Sequence, residues 1–174
     1  MTVFIPNAKK QGKLNIFIMQ TFNSKSAIIL GMHDAIVSLV GLIAGLYFTF
    51  TDSNIIVISC IIASVTAALS MAAANYLAVK STNKNTALKS GAYTGATYLT
   101  TCMVLILPFL LFQHRFVALW SVFVLAGLII FAFNLTFYRG KRFRKHFIEM
   151  LVICAIVTVA AFFIGELANK FFGI

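Results

Sequence analysis

Asp34 stands in the stretch Gly31-Met32-His33-Asp34-Ala35-Ile36-Val37-Ser38, inside an apolar run long enough to cross a bilayer. A charged side chain at the centre of a membrane helix costs about 2.5–3.5 kcal/mol on insertion scales, so an acid kept there usually marks a pathway for ions or protons. The other three acids, Asp52, Glu149 and Glu166, fall near the ends of apolar runs. A second set of donors lies in Ser70-Met71-Ala72-Ala73-Ala74-Asn75-Tyr76, where Met71 and Asn75 are four residues apart and share a helix face. A thioether and an amide oxygen beside a carboxylate suit a borderline-soft divalent ion such as Fe²⁺. Asp34, Met71 and Asn75 are therefore the candidate metal ligands. Two of them have a structural alternative: a hydrogen bond to a neighbouring helix for Asp34, and packing for Met71.

Other chemistries find no residues to carry them. The sequence has no Gly-rich phosphate loop, no Ser/His/Asp set and no His-x-x-x-His pair. Cys60, Cys102 and Cys154 are odd in number and fall in three different apolar runs, as small buried hydrophobes do. No paired carboxylate or nucleophile–base arrangement lies within the runs, so neither an enzyme nor a bound cofactor is expected.

The elements that must position Asp34 follow from composition. Of 174 residues, 61% are hydrophobic and only 10% charged, with a mean hydropathy of +0.97. Soluble domains are about 25% charged, so this is an integral, multi-pass membrane protein. Five apolar spans are read: Ser26–Phe50, Asn54–Val79, Ser90–Phe112, Phe116–Tyr138 and His146–Ala168. Each exceeds the ~20 residues that cross a bilayer as a helix, and none alternates as a strand would. The fold expected is all-α, with five transmembrane helices in one domain over residues 26–174, joined by short loops.

A net charge of +10 is compatible with nucleic-acid binding, but the cations cluster between spans, as topology signals do. Lys9, Lys10, Lys13, Lys25, Lys80, Lys84, Lys89, Arg139, Lys141, Arg142, Arg144 and Lys145 fall on one side of a five-helix chain. Only Arg115 and Lys170 fall on the other. The positive-inside rule places the N-terminus in the cytoplasm and the C-terminus outside. Residues 1–25 form a basic N-terminal segment without the features of a signal peptide. Leu14, Phe17, Ile18 and Phe22 follow helical spacing, which suits an amphipathic helix on the membrane surface; a disordered basic tail is the other reading.

At 100° per residue, Asp34, Ser38, Gly41 and Gly45 share one face of the first span, extended backward by Ala27 and Gly31. Small residues let membrane helices approach closely, so Ser38, Gly41 and Gly45 form either a packing face within the chain or a dimer seam. Gly91, Gly95, Tyr98 and Cys102 repeat the device in the third span, and Pro108 is expected to bend that helix or end its regular part. Glu149 with Lys145, and Glu166 with Lys170, have the spacing of helix ion pairs.

Gly31-x-x-Asp34-Ala35-Ile36-Val37-Ser38, with Gly41 and Gly45, resembles the first-helix signature of the vacuolar iron transporter family. Ser70-Met71-Ala72-Ala73-Ala74-Asn75-Tyr76 with Val79 resembles its second-helix signature, and Gly91…Gly95…Tyr98…Leu107-Pro108-Phe109 its third. The basic loop before a fifth helix with Gly165 is similar too. The resemblance implies a homodimer whose first helices line a central pathway, exporting Fe²⁺ or Mn²⁺ from the cytoplasm in exchange for protons. It places ion-pathway roles on Asp34 and Met71. Two departures stand out. Family members typically have Gly-Glu where this chain has Ala74-Asn75. Iron-transporting members also carry a Glu-rich cytoplasmic metal-binding domain between helices two and three, where this chain has only Lys80–Lys89.

The expectation is thus a reduced metal transporter in a bacterial inner membrane or an organelle such as the vacuole. Its partners would be a second copy, lipid, divalent metal ions and protons. Two alternatives remain: a non-transporting assembly or regulatory subunit that keeps the fold, and a transporter of another small cation or solute.

Overall fold

The computed structural model describes the backbone of residues 8–137 and 141–172, and the side chains of residues 24–136 and 143–171. It contains five helices: α1 (Ala8–Thr49), α2 (Ser53–Lys80), α3 (Lys84–Leu111), α4 (Arg115–Phe137) and α5 (Lys141–Phe172). All five are long and apolar enough to cross a membrane, and no strand occurs among the described residues. The chain is an all-helical, multi-pass integral membrane protein.

The helix boundaries have local causes. Asp52 caps α2 by accepting a hydrogen bond from the Asn54 amide at 2.8 Å, and Asn83 caps α3 in the same way through the Asn85 amide at 3.1 Å. The second cap makes the α2–α3 connection only residues 81–83, so α3 starts six residues before the apolar span read from sequence. Pro108 does not stop α3. It lies in the last turn, which continues to Leu111 and closes with the Phe112 amide donating to the Pro108 carbonyl at 2.9 Å. α1 is helical from Ala8 onward and continuous with the first span, while the side chains of its basic N-terminal part lie outside the described residues.

Arg115 ties the far end of α1 to the start of α4. Its guanidinium donates to the Tyr47 carbonyl at 3.0 Å and to the Phe50 carbonyl, and lies 4.8 Å from the centre of the Tyr47 ring. The last carbonyls of a helix lack intrahelical partners, and a cation there also offsets the negative end of the helix dipole. One of the two basic residues on that side of the chain is thus held by a structural task.

Within the bundle α1 is central, with 56% of its apolar 18-residue stretch buried against 11% of that of α5. α3 packs on α2 and α1, α5 packs mainly on α1, and α4 lies against α1, α3 and α5. The core runs along α1 through Ala35, Ile36, Leu39, Val40 and Ile43 and meets Leu105 of α3, Val122 of α4 and Cys60 of α2. The expected ion pairs are absent among the described residues: Glu149 lies 3.7 Å from His146 rather than pairing with Lys145, and Glu166 has no pair with Lys170. These side chains are exposed, where a lysine gains little from being held in one geometry.

Candidate functional site

The small-residue face of α1 is divided between two neighbours. Toward its N-terminal half α3 crosses so closely that a Cβ at Gly31 would overlap the Thr94 carbonyl. Toward its C-terminal end α5 takes over. A Cβ at Gly41 would come 2.8 Å from Val157 Cγ1, and one at Gly45 would come 3.3 Å from the Ala161 carbonyl. Gly165 returns the contact, since a Cβ there would lie 2.9 Å from the Gly45 carbonyl. Gly41 and Gly45 are therefore used in packing within the chain.

Between these two crossings the face is open. Asp34 and Ser38 are both exposed there. From Ser38 a groove of about 520 Å³ runs between α1 and α5, past Gly41, Leu42 and Gly45, with Val157 and Ile164 on its other wall. The Asp34 carboxylate accepts no hydrogen bond and pairs with no cation among the described residues. His33, the preceding residue, is turned about 100° away around α1 and meets the Phe133 ring of α4 edge-on at 5.7 Å.

A line of polar contacts fixes the backbone around Asp34. Ser38 Oγ donates to the Asp34 carbonyl at 2.6 Å, which uses its only hydrogen, so Tyr98 OH donates to Ser38 Oγ across 2.8 Å. Tyr98 is buried, where a hydroxyl is costly unless hydrogen-bonded. Two turns away Asn75 donates its amide to the Ser90 carbonyl at 3.2 Å, to Ser90 Oγ at 3.0 Å and to Thr94 Oγ1 at 2.5 Å. The backbone carbonyl can only accept, which fixes the amide's orientation. Thr94 Oγ1 in turn lies 3.2 Å from the Ala27 carbonyl, so α1, α2 and α3 are joined at one point.

The three sequence-predicted ligands thus have different surroundings. Asn75 is tied to α3, Met71 is partly buried against the apolar core, and Asp34 faces the open side of α1. Among the described residues no group of three or more His, Cys, Asp and Glu side chains could hold a metal ion. What the chain presents is an unpaired carboxylate on an accessible face, backed by Ser38 and Tyr98. Tyr98 stands out in the sequence on its small-residue face, whereas Ser90 and Thr94, which continue its polar row, do not. The row's spacing of four, facing α1 and α2 along with Gly91 and Gly95, was the available signal.

The VIT family model matches residues 25–87, which cover the first two spans and the start of α3. No curated protein matches the chain. The VIT family is one of membrane metal-ion transporters and not of enzymes.

Proposed function

On the premise that this match supports membership of the vacuolar iron transporter family, we propose that the chain moves divalent metal, Fe²⁺ or Mn²⁺, out of the cytoplasm as a proton-coupled homodimer. The observation that carries the reading is the exposed, unpaired Asp34 in the middle of the first span. Facing lipid, that carboxylate would cost about 2.5–3.5 kcal/mol. Facing a second copy across a two-fold axis, it would line a polar passage with its counterpart, and the cost would serve cation binding.

In this reading each Asp34 supplies a hard anionic oxygen that draws a partly dehydrated cation into the passage. Protonation of the same carboxylate removes the charge and releases the ion, which couples metal movement to protons. Ser38 and Tyr98 hold the α1 backbone at that level. Met71 is the proposed soft donor, on the second helix of the same protomer. With the clustered cations inside, residues 81–83 and the basic stretch 139–145 lie on the cytoplasmic side, and Arg115 and Lys170 outside. With three residues between α2 and α3, no acidic capture domain is inserted there, so metal affinity should be weak and selectivity broad.

One observation favours the alternative of a non-transporting subunit. Asn75, at the position where the resemblance calls for a glutamate, holds three helices together and leaves one carboxylate fewer for ions or protons. Uptake assays in reconstituted vesicles decide between the two. The transport reading expects flux of Fe²⁺ and Mn²⁺ above empty vesicles, increased by a pH gradient. Absence of flux for these ions and for Mg²⁺ would leave the subunit reading standing.

A further inference from the structure

α4 and α5 do not close on one another along their middle. A groove of about 410 Å³ lies between them, lined by Gly127, Ile130, Leu151, Cys154 and Thr158, with Val40 of α1 at its floor. It is separate from the Asp34 site. Val40 is two residues from Ser38, which turns it about 200° around α1 at 100° per residue. The groove therefore opens on the other side of the α1–α5 contact.

Gly127 is the unusual residue here. Glycine weakens a helix interior and is usually retained where a backbone must approach closely. A Cβ at Gly127 would meet nothing within 4 Å. Every other described glycine in a span has a close neighbour at that position, so Gly127 leaves space that the protein itself does not fill. In a bilayer such a trough takes an acyl chain. At the end toward the start of α5 the Phe131 and Phe147 rings meet edge to face at 6.1 Å, and the groups that would meet a headgroup stand beyond them. Arg144 is two turns before Leu151 and on the same stripe of α5, in the helix's first turns, and it is exposed. Lys145 follows it, also exposed. Neither has an acidic partner within ion-pair distance among the described residues. Basic side chains at the end of an interhelical groove attract anionic lipid headgroups, and exposed amides in the first turn of a helix add to that field.

We infer that the α4–α5 groove is a binding site for an anionic glycerophospholipid, with an acyl chain over Gly127 and the phosphate at Arg144. The lipid comes from the leaflet at the N-terminal end of α5. The site does not depend on whether the chain transports metal.

The test uses the full chain in detergent, titrated with phosphatidylglycerol or phosphatidylcholine of matched acyl chains, with bound lipid counted by native mass spectrometry. The wild type should retain phosphatidylglycerol at least fivefold over phosphatidylcholine. Gly127→Leu, which puts a side chain into the trough at a position where a Cβ meets no protein atom, should lower retention of both lipids at least fivefold. Arg144→Gln, an exposed change that should leave folding intact, should remove the preference for phosphatidylglycerol and spare phosphatidylcholine. Equal retention of both lipids by the wild type would overturn the inference. So would unchanged phosphatidylglycerol retention in Gly127→Leu, and a dimer lost in that variant with lipid retention intact would give the groove to a second copy.

Discussion

Tyr98 OH lies 2.8 Å from Ser38 Oγ, and that serine in turn donates to the carbonyl of Asp34 at 2.6 Å. A buried phenol on α3 thereby sets the α1 backbone at the level of the intramembrane acid. The carboxylate itself is left open.

Removing either partner of this bond should show in stability. Tyr98→Phe and Ser38→Ala should each cost about 0.5–1.5 kcal/mol, the usual net worth of a hydrogen bond. Combined, they should cost less than their sum, because both remove the same contact. Denaturant unfolding in micelles of the two single variants and the double variant measures the coupling. A fully additive pair would mean that the bond contributes nothing.

Asn75 provides a sharper case, because its role depends on donating. Asn75→Ala leaves Ser90 Oγ and Thr94 Oγ1 short of a partner at the α2–α3 seam and should cost about 1–3 kcal/mol. Asn75→Glu restores the acid that the family resemblance calls for, yet places acceptor oxygens against the Ser90 carbonyl. It should melt below Asn75→Ala at neutral pH in a thermal stability assay. If Asn75→Glu is as stable as the parent, the amide is not needed as a donor.

Two glycines should respond in opposite ways to a larger side chain. Gly165→Val forces carbon atoms against the Gly45 carbonyl and Thr49 Oγ1, each 2.9 Å from where its Cβ would stand. Overpacking of this kind costs about 1–3 kcal/mol, and the cost should appear as early thermal aggregation on size-exclusion chromatography. A Cβ at Gly127 would meet nothing within 4 Å, so Gly127→Leu should leave the melting temperature unchanged or raised, since leucine is the better helix former.

The sequence carried the number of helices plainly, because continuous apolar runs of this length have one solution in lipid. It carried the ends less well. The start of α3 was misplaced by six residues, because Lys84 and Lys89 read as loop until Asn83 is recognised as a cap. Asp34 was legible as a buried cost without compensation. The fate of its face was not: periodicity puts Gly31, Asp34, Ser38, Gly41 and Gly45 together, but cannot say that α3 covers one end and α5 the other. Asn75 shows the same limit. Its spacing from Met71 suggested a shared ligand face, whereas its acceptors come from Ser90 and Thr94, whose pairing with it depends on tertiary packing.

Orientation has its own test. Reporter fusions at Asn83 and after Ile174 should label opposite compartments, with Asn83 on the cytoplasmic side, as the clustering of basic residues requires. Labelling of both on one side would mean an even number of crossings.

The most direct measurement is metal flux through Asp34→Asn in reconstituted vesicles, beside the wild type at matched protein and folding. The amide keeps the size and polarity of the side chain and removes only its charge, and insertion should become easier because the intramembrane charge was costly. The account predicts a fall of at least tenfold in Fe²⁺ and Mn²⁺ flux, with loss of the response to a pH gradient and no loss of thermal stability. Flux equal to the wild type, with the pH response intact, would contradict it and leave Asp34 without a part in the ion path.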